Sequence, residues 1–260
     1  MKKFLSGILC FCLLLSFAFS ASAQSGGMHW YLKRNGNSQP ILPDALREIE
    51  GHKAYYLNTA LKDDGAEKRL YLTFDAGYEK GNVEKILDVL RDERVPAAFF
   101  ILDHIILKNT ELVKRMANEG HLVCNHTKNH KDLTKYDRAY MIENLTDLEK
   151  IYEEKTGQKM AKYFRFPEGC FSPETLSVAD EMGYKTVFWS LAYADWDNDK
   201  QPSADKAMEL LLSNTHNGAV VLLHPTSATN AQIMKELIAK WREMGYGFGT
   251  LDELCAAVKG

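Results

Sequence analysis

Residues that can carry acid–base chemistry stand at five places in this sequence, each at or near the end of an apolar stretch. Carboxylates and imidazoles can move protons or bind a divalent cation, and a guanidinium can hold a carboxylate in place. In an α/β fold, such residues at the carboxyl ends of strands are the first candidates for an active site. They are Asp75, the pair His126 and His130, Arg165, the pair Asp195 and Trp196, and His224.

Asp75 follows the apolar run 71–74 and precedes Ala76 and Gly77. It could simply start a turn, because Asp and Gly are common turn residues. It could instead be a catalytic carboxylate at the tip of a buried strand, which is how α/β enzymes present such groups. The other four places favour the second interpretation.

His126 and His130 place two imidazoles four residues apart. In a helical turn they would lie on one face, as two ligands of a divalent metal must. A pair of solvated histidines explains this spacing equally well. Their position just after a short predicted strand favours the metal.

His224 ends the apolar run 220–223 and could act as a general acid or base. Taken alone, it would more often be a core histidine that donates to a backbone carbonyl. Asp195 could orient a histidine, and Trp196 could stack on a sugar ring or be a buried structural tryptophan. Arg165 could hold a carboxylate bidentately or form a surface ion pair.

Strand and helix patterns alternate from residue 69 onward, and these elements must position the polar residues. Repeated β–α units at this spacing predict a parallel sheet with enough strands to close into a barrel. No internal repeat or low-complexity linker divides the region, so we predict one catalytic domain over residues 69–255. The predicted strands are Arg69–Phe74, Pro96–Leu102, His121–Asn125, Lys162–Phe166, Tyr184–Trp189, Ala219–Leu223 and Tyr246–Thr250; helix starts are predicted at Thr110, Asp137 and Ser172.

The N-terminal residues have the pattern of a signal peptide. Lys2 and Lys3 precede an apolar run over residues 4–19, and the small residues 21–23 suit cleavage before Gln24. We therefore expect residues 1–23 to direct export, with a retained membrane anchor as the alternative. Residues 24–68 show no clear periodicity and are predicted to form an irregular wrap.

Composition and charge give no reason to propose some classes of partner. The chain has 260 residues and a net charge of -3, which indicates neither nucleic acid nor an anionic membrane as a partner. The predicted mature chain keeps Cys124, Cys170 and Cys255, an odd number without CxxC spacing. Neither a disulfide scaffold nor a structural zinc site is therefore expected.

Five motifs, taken in this order, resemble those of the polysaccharide deacetylases (NodB-homology domain, carbohydrate esterase family 4). The resemblance covers roughly residues 69–255 and implies a distorted (β/α) barrel with an irregular N-terminal extension. The motifs are Thr73-Phe74-Asp75-Ala76-Gly77, His126-Thr127-Lys128-Asn129-His130, Arg165-Phe166-Pro167-Glu168-Gly169, Asp195-Trp196 and Leu222-Leu223-His224.

The resemblance implies a role for each catalytic candidate. Asp75 would be the base that activates a metal-bound water, and Arg165 would hold it in place. His224 would be the acid that protonates the leaving amine, with its pKa raised by Asp195. Hydrolysis of an amide needs this combination of activated water and protonated leaving group.

Three further residues would contact the substrate. Trp196 would form one wall of the substrate groove, and Leu222 would face the acetyl methyl group. Tyr78 belongs to Gly77-Tyr78-Glu79, which continues the first motif. Within the family, the chain resembles the subgroup that forms muramic-δ-lactam in spore cortex. The shared features are that continuation, a small N-terminal segment and a non-acidic residue at position 76. The implied partner is the glycan strand of peptidoglycan, and no protein partner is implied.

Two positions depart from the family pattern. Ala76 stands where the family has an aspartate that binds the metal, so His126 and His130 are one ligand short of a catalytic zinc set. Zinc or a similar ion could bind there weakly with extra waters, be absent, or recruit another carboxylate. Asp103 is a hypothetical substitute ligand or simply the start of a turn. Glu168 stands where the muramic subgroup tends to carry arginine, and it would repel the lactyl carboxylate of muramic acid.

The sequence therefore predicts an exported peptidoglycan N-deacetylase that acts on N-acetylmuramic acid. Two alternatives remain. One is a deacetylase of N-acetylglucosamine in peptidoglycan or chitin-like oligomers. The other is a glycan-binding pseudoenzyme, suggested by Ala76, although a binding module has no need of a base and an acid.

Overall fold

A computed structural model describes residues 27–258, so the predicted signal peptide lies outside the described residues. Within them, no helix is long and apolar enough to cross a membrane. The strands are β1 (Met28–His29), β2 (Lys33–Asn35), β3 (Ser38–Ile41), β4 (Ala54–Tyr55), β5 (Arg69–Ala76), β6 (Ala97–Ile101), β7 (Leu122–Asn125), β8 (Ala161–Phe164), β9 (Cys170–Phe171), β10 (Lys185–Val187), β11 (Leu191–Ala192), β12 (Val220–Leu223) and β13 (Gly247–Phe248). The helices are α1 (Val83–Glu93), α2 (Asp103–Lys108), α3 (Thr110–Asn118), α4 (Arg138–Thr156), α5 (Pro173–Glu181), α6 (Ala204–Ser213), α7 (Ala228–Glu243) and α8 (Leu251–Ala257).

The central sheet is parallel and follows the order β11-β12-β5-β6-β7-β8-β10-β4, with β13 also paired to β5. Helices follow most strands, as right-handed β–α units require. An isolated antiparallel bridge between Leu57 and Ala219 joins the region after β4 to the start of β12. The predicted distorted (β/α) barrel is confirmed.

Alternation along β5 decides which side chains reach the site. Leu72, Phe74 and Ala76 pack into the large apolar cluster that includes helices α1 and α7. Thr73 and Asp75 therefore point to the opposite, interior face, because successive side chains of a strand alternate. The strand thus buries its apolar face and presents one carboxylate near its carboxyl end.

The helix starts were predicted with one error. Asp137 and Ser172 are N-caps whose side chains accept from backbone N–H groups, and Ser172 with Thr175 forms a capping box. Thr110 is not a cap: it lies inside α3 and its hydroxyl donates to the carbonyl of Ile106. The unpredicted short helix α2 precedes it, so Thr110 bonds backward to the preceding turn.

The segment predicted as an irregular wrap contains short strands. β2 and β3 form a hairpin, β1 pairs with β9, and β4 pairs in parallel with β10 at the edge of the central sheet. These pairings join positions far apart in sequence, so local periodicity cannot reveal them. The segment is consequently attached to the central sheet through β10 and to β9.

At Gly169 the N-terminal segment packs closely against the loop that follows β8. The carbonyl of Gly169 accepts from the Trp30 backbone N–H at 2.9 Å, and the indole of Trp30 donates to the Trp189 carbonyl at 2.8 Å. Gly169 has φ +63°, and a Cβ there would lie 2.8 Å from Trp30 Cβ and 2.9 Å from the Trp189 ring. Only glycine fits this backbone conformation and this space without strain.

Replacing Gly169 with alanine is expected to lower the free energy of unfolding by about 2–4 kcal/mol, from left-handed strain plus overpacking. Gly120→Ala is the matched control, because Gly120 has φ +87° and a Cβ added there would meet no atom within 4 Å. The control should cost only about 1–2 kcal/mol, from left-handed strain alone. Urea unfolding measures both, and equal losses would show that contact with the tryptophans does not matter.

Candidate active site

A cavity of about 920 Å³ contains the predicted site at the carboxyl ends of the central strands. Its size suits a sugar residue, and polar groups converge in it beside apolar walls. Seven of the predicted residues line it: Asp75, Tyr78, His126, His130, Trp196, Leu222 and His224. Arg165 and Asp195 lie behind two of these, each with no exposed side-chain surface.

Asp75 is held by a buried arginine. Arg165 follows β8, and its Nη1 donates to Asp75 Oδ1 at 2.8 Å. The guanidinium also donates to the Val187 carbonyl at 2.9 Å and to Thr73 Oγ1 at 2.9 Å, and it stacks on Phe100. This network leaves Arg165 one position, so the carboxylate of Asp75 is fixed at the cavity wall.

The same arrangement keeps Asp75 ionised. Burial alone would raise the pKa of Asp75, but His126, Arg165 and His224 stabilise the anion more strongly and lower its pKa below 3.8. Arg165 is a permanent charge, whereas the pKa of His126 is lowered to about 4, chiefly by burial. Near neutral pH, Arg165 therefore supplies the main stabilising charge.

The two histidines lie on a loop, so no helical turn places them on one face. Thr127 has φ +71° and His130 has φ +54°, so the backbone is left-handed at both positions. Thr127 is strained there because it is β-branched. Asn125 compensates by accepting from the Thr127 N–H at 2.9 Å, and Thr127 Oγ1 accepts from the His130 N–H at 2.9 Å. This geometry still brings the His126 and His130 rings to a centroid distance of 4.9 Å.

The protonation of His126 follows from its partners. Its Nδ1 lies 2.9 Å from the carbonyl of Arg165, and a carbonyl only accepts, so Nδ1 carries the hydrogen. Nε2 then has a lone pair and lies 3.5 Å from Asp75 Oδ2, a second acceptor. His130 also has a lowered pKa, mainly because the cavity walls desolvate its ring. Both imidazoles are neutral near pH 7 and present basic nitrogens.

The residues do not provide a complete catalytic metal site. Ala76 is fully buried in the apolar cluster, and Asp103 is the first residue of α2 and does not line the cavity. Within residues 27–258 no group of three or more His, Cys, Asp or Glu side chains is arranged to hold a metal. The structure therefore gives no support to Asp103 as the substitute ligand, and two imidazoles fall short of the usual three protein ligands.

His224 and Asp195 form a second charged pair. His224 Nδ1 lies 2.7 Å from Asp195 Oδ1, and the backbone N–H of His224 donates to Asp195 Oδ2 at 2.7 Å. Burial would lower the pKa of His224, but hydrogen bonding and attraction to Asp195 outweigh burial and raise it above 6.5. His224 can therefore hold a proton near neutral pH and give it to a substrate atom in the cavity.

Sequence reasoning missed two residues that fix these pairs. Asn230, buried in the first turn of α7, donates to Asp195 Oδ2 at 2.6 Å and to the His224 carbonyl at 3.1 Å, and it accepts from the Tyr193 hydroxyl. Thr73 accepts from Arg165 and donates to the Val221 carbonyl at 2.7 Å. For Asn230 the only sequence signal was a polar residue near a helix start, whereas Thr73 belongs to the motif over residues 73–77 but had been given no role.

The rim of the cavity is aromatic. Trp196 is 62% exposed and Tyr78 is 52% exposed, so both rings are free to stack on a sugar. Leu222 is buried at the cavity floor beside His224. Arg34 and Glu168 also line the cavity, and the first of these was not predicted.

Comparisons with known proteins agree with this geometry. A sequence model described as "Polysaccharide deacetylase" matches residues 62–187. The peptidoglycan-N-acetylmuramic acid deacetylase PdaA of Bacillus subtilis is 35% identical over 258 residues, which is 97% of this chain and 95% of that protein. The structure of B. subtilis PdaA, a family 4 carbohydrate esterase, superposes with a TM-score of 0.81 over 88% of this chain and 96% of that one, at 35% identity.

A second kind of relative matches over less of its length. The peptidoglycan-N-acetylglucosamine deacetylase PgdA of Listeria monocytogenes is 33% identical over 187 residues, covering 72% of this chain and 39% of that protein. Deacetylases of this family generally depend on a metal ion, so Ala76 is a departure in the ligand set. The fold, the ordered motifs and these matches show that the chain belongs to the polysaccharide deacetylases of carbohydrate esterase family 4, hydrolases that act on the amide of N-acetyl sugars.

Proposed function

We propose that this protein is an exported peptidoglycan deacetylase that hydrolyses the acetamide of N-acetylmuramic acid, on the route to muramic-δ-lactam in spore cortex. The observation that carries the proposal is the pair of opposed groups in one cavity. Arg165 donates to Asp75 at 2.8 Å and stabilises its ionised form, and Asp195 lies 2.7 Å from His224 Nδ1 and stabilises its protonated form. A carboxylate base and an imidazolium acid are what amide hydrolysis needs.

The chemistry follows from these protonation states. A water that donates to Asp75 Oδ2 and His126 Nε2 would be held between two acceptors 3.5 Å apart. Asp75 removes one of its protons as the oxygen attacks the acetamide carbon. His224 then gives its proton to the nitrogen, the C–N bond breaks, and acetate and the free amine leave. No step in this scheme passes through a metal, because the protein ligand set is incomplete within residues 27–258.

The substrate assignment is supported by the relative PdaA, which matches along almost the whole chain. Export is supported by the basic, apolar and small-residue pattern of residues 2–23. The rim formed by Trp196 and Tyr78 suits a sugar ring of a glycan strand.

A second candidate is deacetylation of N-acetylglucosamine. Glu168 favours it, because an exposed carboxylate in the cavity repels an anionic substituent and has no such effect on a neutral sugar. The match to PgdA of L. monocytogenes also supports it.

The test is acetate release from peptide-stripped peptidoglycan, followed by identification of the deacetylated sugar. Acetate from muramic residues is the expected result, and acetate from glucosamine residues alone would select the second candidate. The assay is run with chelator and with added zinc, so that turnover is measured with and without a metal at the two histidines. Binding of glycan without acetate under any of these conditions would indicate a pseudoenzyme.

A further inference from the structure

The cavity contains three charged residues that the proposed chemistry does not use. They are the cations Arg34 and Lys80 and the anion Glu168. Over residues 27–258 none of the three has an ion-pair partner, although all line the same space. Glu168 has φ +56° and follows Pro167 in the short turn Pro167–Gly169, and this turn holds the backbone of Glu168 beside the cavity.

Arg34 reaches the cavity because the β2–β3 hairpin is fastened to the barrel. Asn37 donates to the carbonyls of Leu212 at 2.8 Å and Thr215 at 3.1 Å. Gln39 donates to the carbonyls of Leu61 at 2.6 Å and Asn217 at 3.0 Å. These contacts from side chains to backbone fix the position of the hairpin against the site.

The guanidinium of Arg34 is anchored but largely unused. Its Nη2 donates at 3.0 Å to the carbonyl of Ala192, the last residue of β11, three residues before Asp195. This is one of five N–H donors, and the others make no hydrogen bond to the part of the chain that the structure describes. A guanidinium that is held in place by one hydrogen bond and keeps its other donors free can bind a carboxylate through two parallel hydrogen bonds.

We infer that Arg34 determines substrate specificity by binding the carboxylate of an anionic N-acetylamino sugar, such as the lactyl group of N-acetylmuramic acid. This inference rests on the proposed function. Glu168 alone would repel such a group, and Arg34 offsets this repulsion from another part of the same cavity. Arg34 is favoured over Lys80 because Lys80 makes no side-chain hydrogen bond to the described residues and would lose more conformational freedom on binding.

The test compares two forms of one substrate: peptide-stripped glycan strands, and the same strands with the muramic carboxyl reduced to an alcohol. Arg34→Gln should lower kcat/KM about 10- to 100-fold on the carboxylate form, the size expected for charge-assisted hydrogen bonds. On the reduced form it should stay within about threefold of the wild type. Arg34→Lys should recover part of the lost kcat/KM, because lysine keeps the positive charge but lacks the planar guanidinium that donates two parallel hydrogen bonds.

Two further variants test the charges separately. Lys33→Gln removes a positive charge from the neighbouring residue of β2, which does not line the cavity, and should change neither substrate. Glu168→Gln should raise kcat/KM on the carboxylate form only, because it removes the repulsion. Thermal unfolding of each variant checks that it remains folded at the assay temperature.

Three outcomes would overturn the assignment of Arg34 alone: equal losses on both substrates, no loss in Arg34→Gln, or a carboxylate-specific loss in Lys80→Gln instead. The wild type is measured first, and its failure is distinct. If it released no acetate from muramic residues, the proposed function would fall and the inference with it.

Discussion

Replacing Asp75 with asparagine is expected to lower kcat for acetate release by about 10²- to 10⁴-fold, with a much smaller change in KM. An amide cannot accept the proton of the attacking water. It can still accept from Arg165 Nη1 through its oxygen, so the side chain should keep its place at the tip of β5. Initial rates at saturating and limiting glycan separate kcat from KM.

The matched control is Thr73→Val. It removes the 2.9 Å partner of Arg165 Nη2 while leaving the carboxylate of Asp75 intact. Loss of one such hydrogen bond should cost roughly tenfold or less in kcat. An equally large loss in both variants would show that the position of Arg165, and not the base, limits the reaction.

Unfolding must be measured beside the rates, because Asp75→Asn leaves the buried charge of Arg165 without its anion. Such an uncompensated charge can cost several kcal/mol of stability. Arg165 keeps its bonds to Thr73 and the Val187 carbonyl, which offset part of this cost. A variant that is folded at the assay temperature and inactive supports the role of Asp75 as base.

Much of the site could be predicted because its residues follow strands in a regular order. Asp75, Arg165 and His224 each lie at or directly after the carboxyl end of a strand, and parallel strands bring these ends to one edge of the sheet. The resemblance to a family then implied which residue pairs with which, and the structure has both pairs in contact. Burial of alternate residues on β5 explains why the acid at 75 faces the cavity while Ala76 does not.

The rest depends on contacts that local patterns do not encode. Asn230 looks like an ordinary residue near a helix start, and its bond to Asp195 depends on how α7 packs across the barrel. Arg34 lies in a segment without periodicity, and a hairpin brings it to the site. The loop that holds His126 and His130 could not be predicted, because the spacing of the two histidines alone does not reveal left-handed φ values.

Replacing Asp195 with asparagine should move the pH dependence of catalysis. A general acid must be protonated, so kcat/KM falls as pH rises through the pKa of His224. Asp195 raises that pKa above 6.5, which extends activity to higher pH. At the acidic side, kcat/KM rises through the lowered pKa of Asp75, below 3.8, so neutral pH lies well above this limit.

Without the carboxylate, burial dominates at His224 and its pKa falls below 6.5. The basic limb of the kcat/KM profile should therefore move to lower pH, with a loss of about 10²- to 10⁴-fold at pH 8 and a smaller one at pH 6. Titration of the imidazole by NMR follows the same pKa without turnover. Asp197→Asn is the control, because it removes a charge two residues away that pairs with Lys200 and not with His224. A uniform loss of kcat/KM at all pH values, with the pKa of the His224 imidazole unchanged, would mean that Asp195 only positions the loop and does not raise the pKa of the general acid.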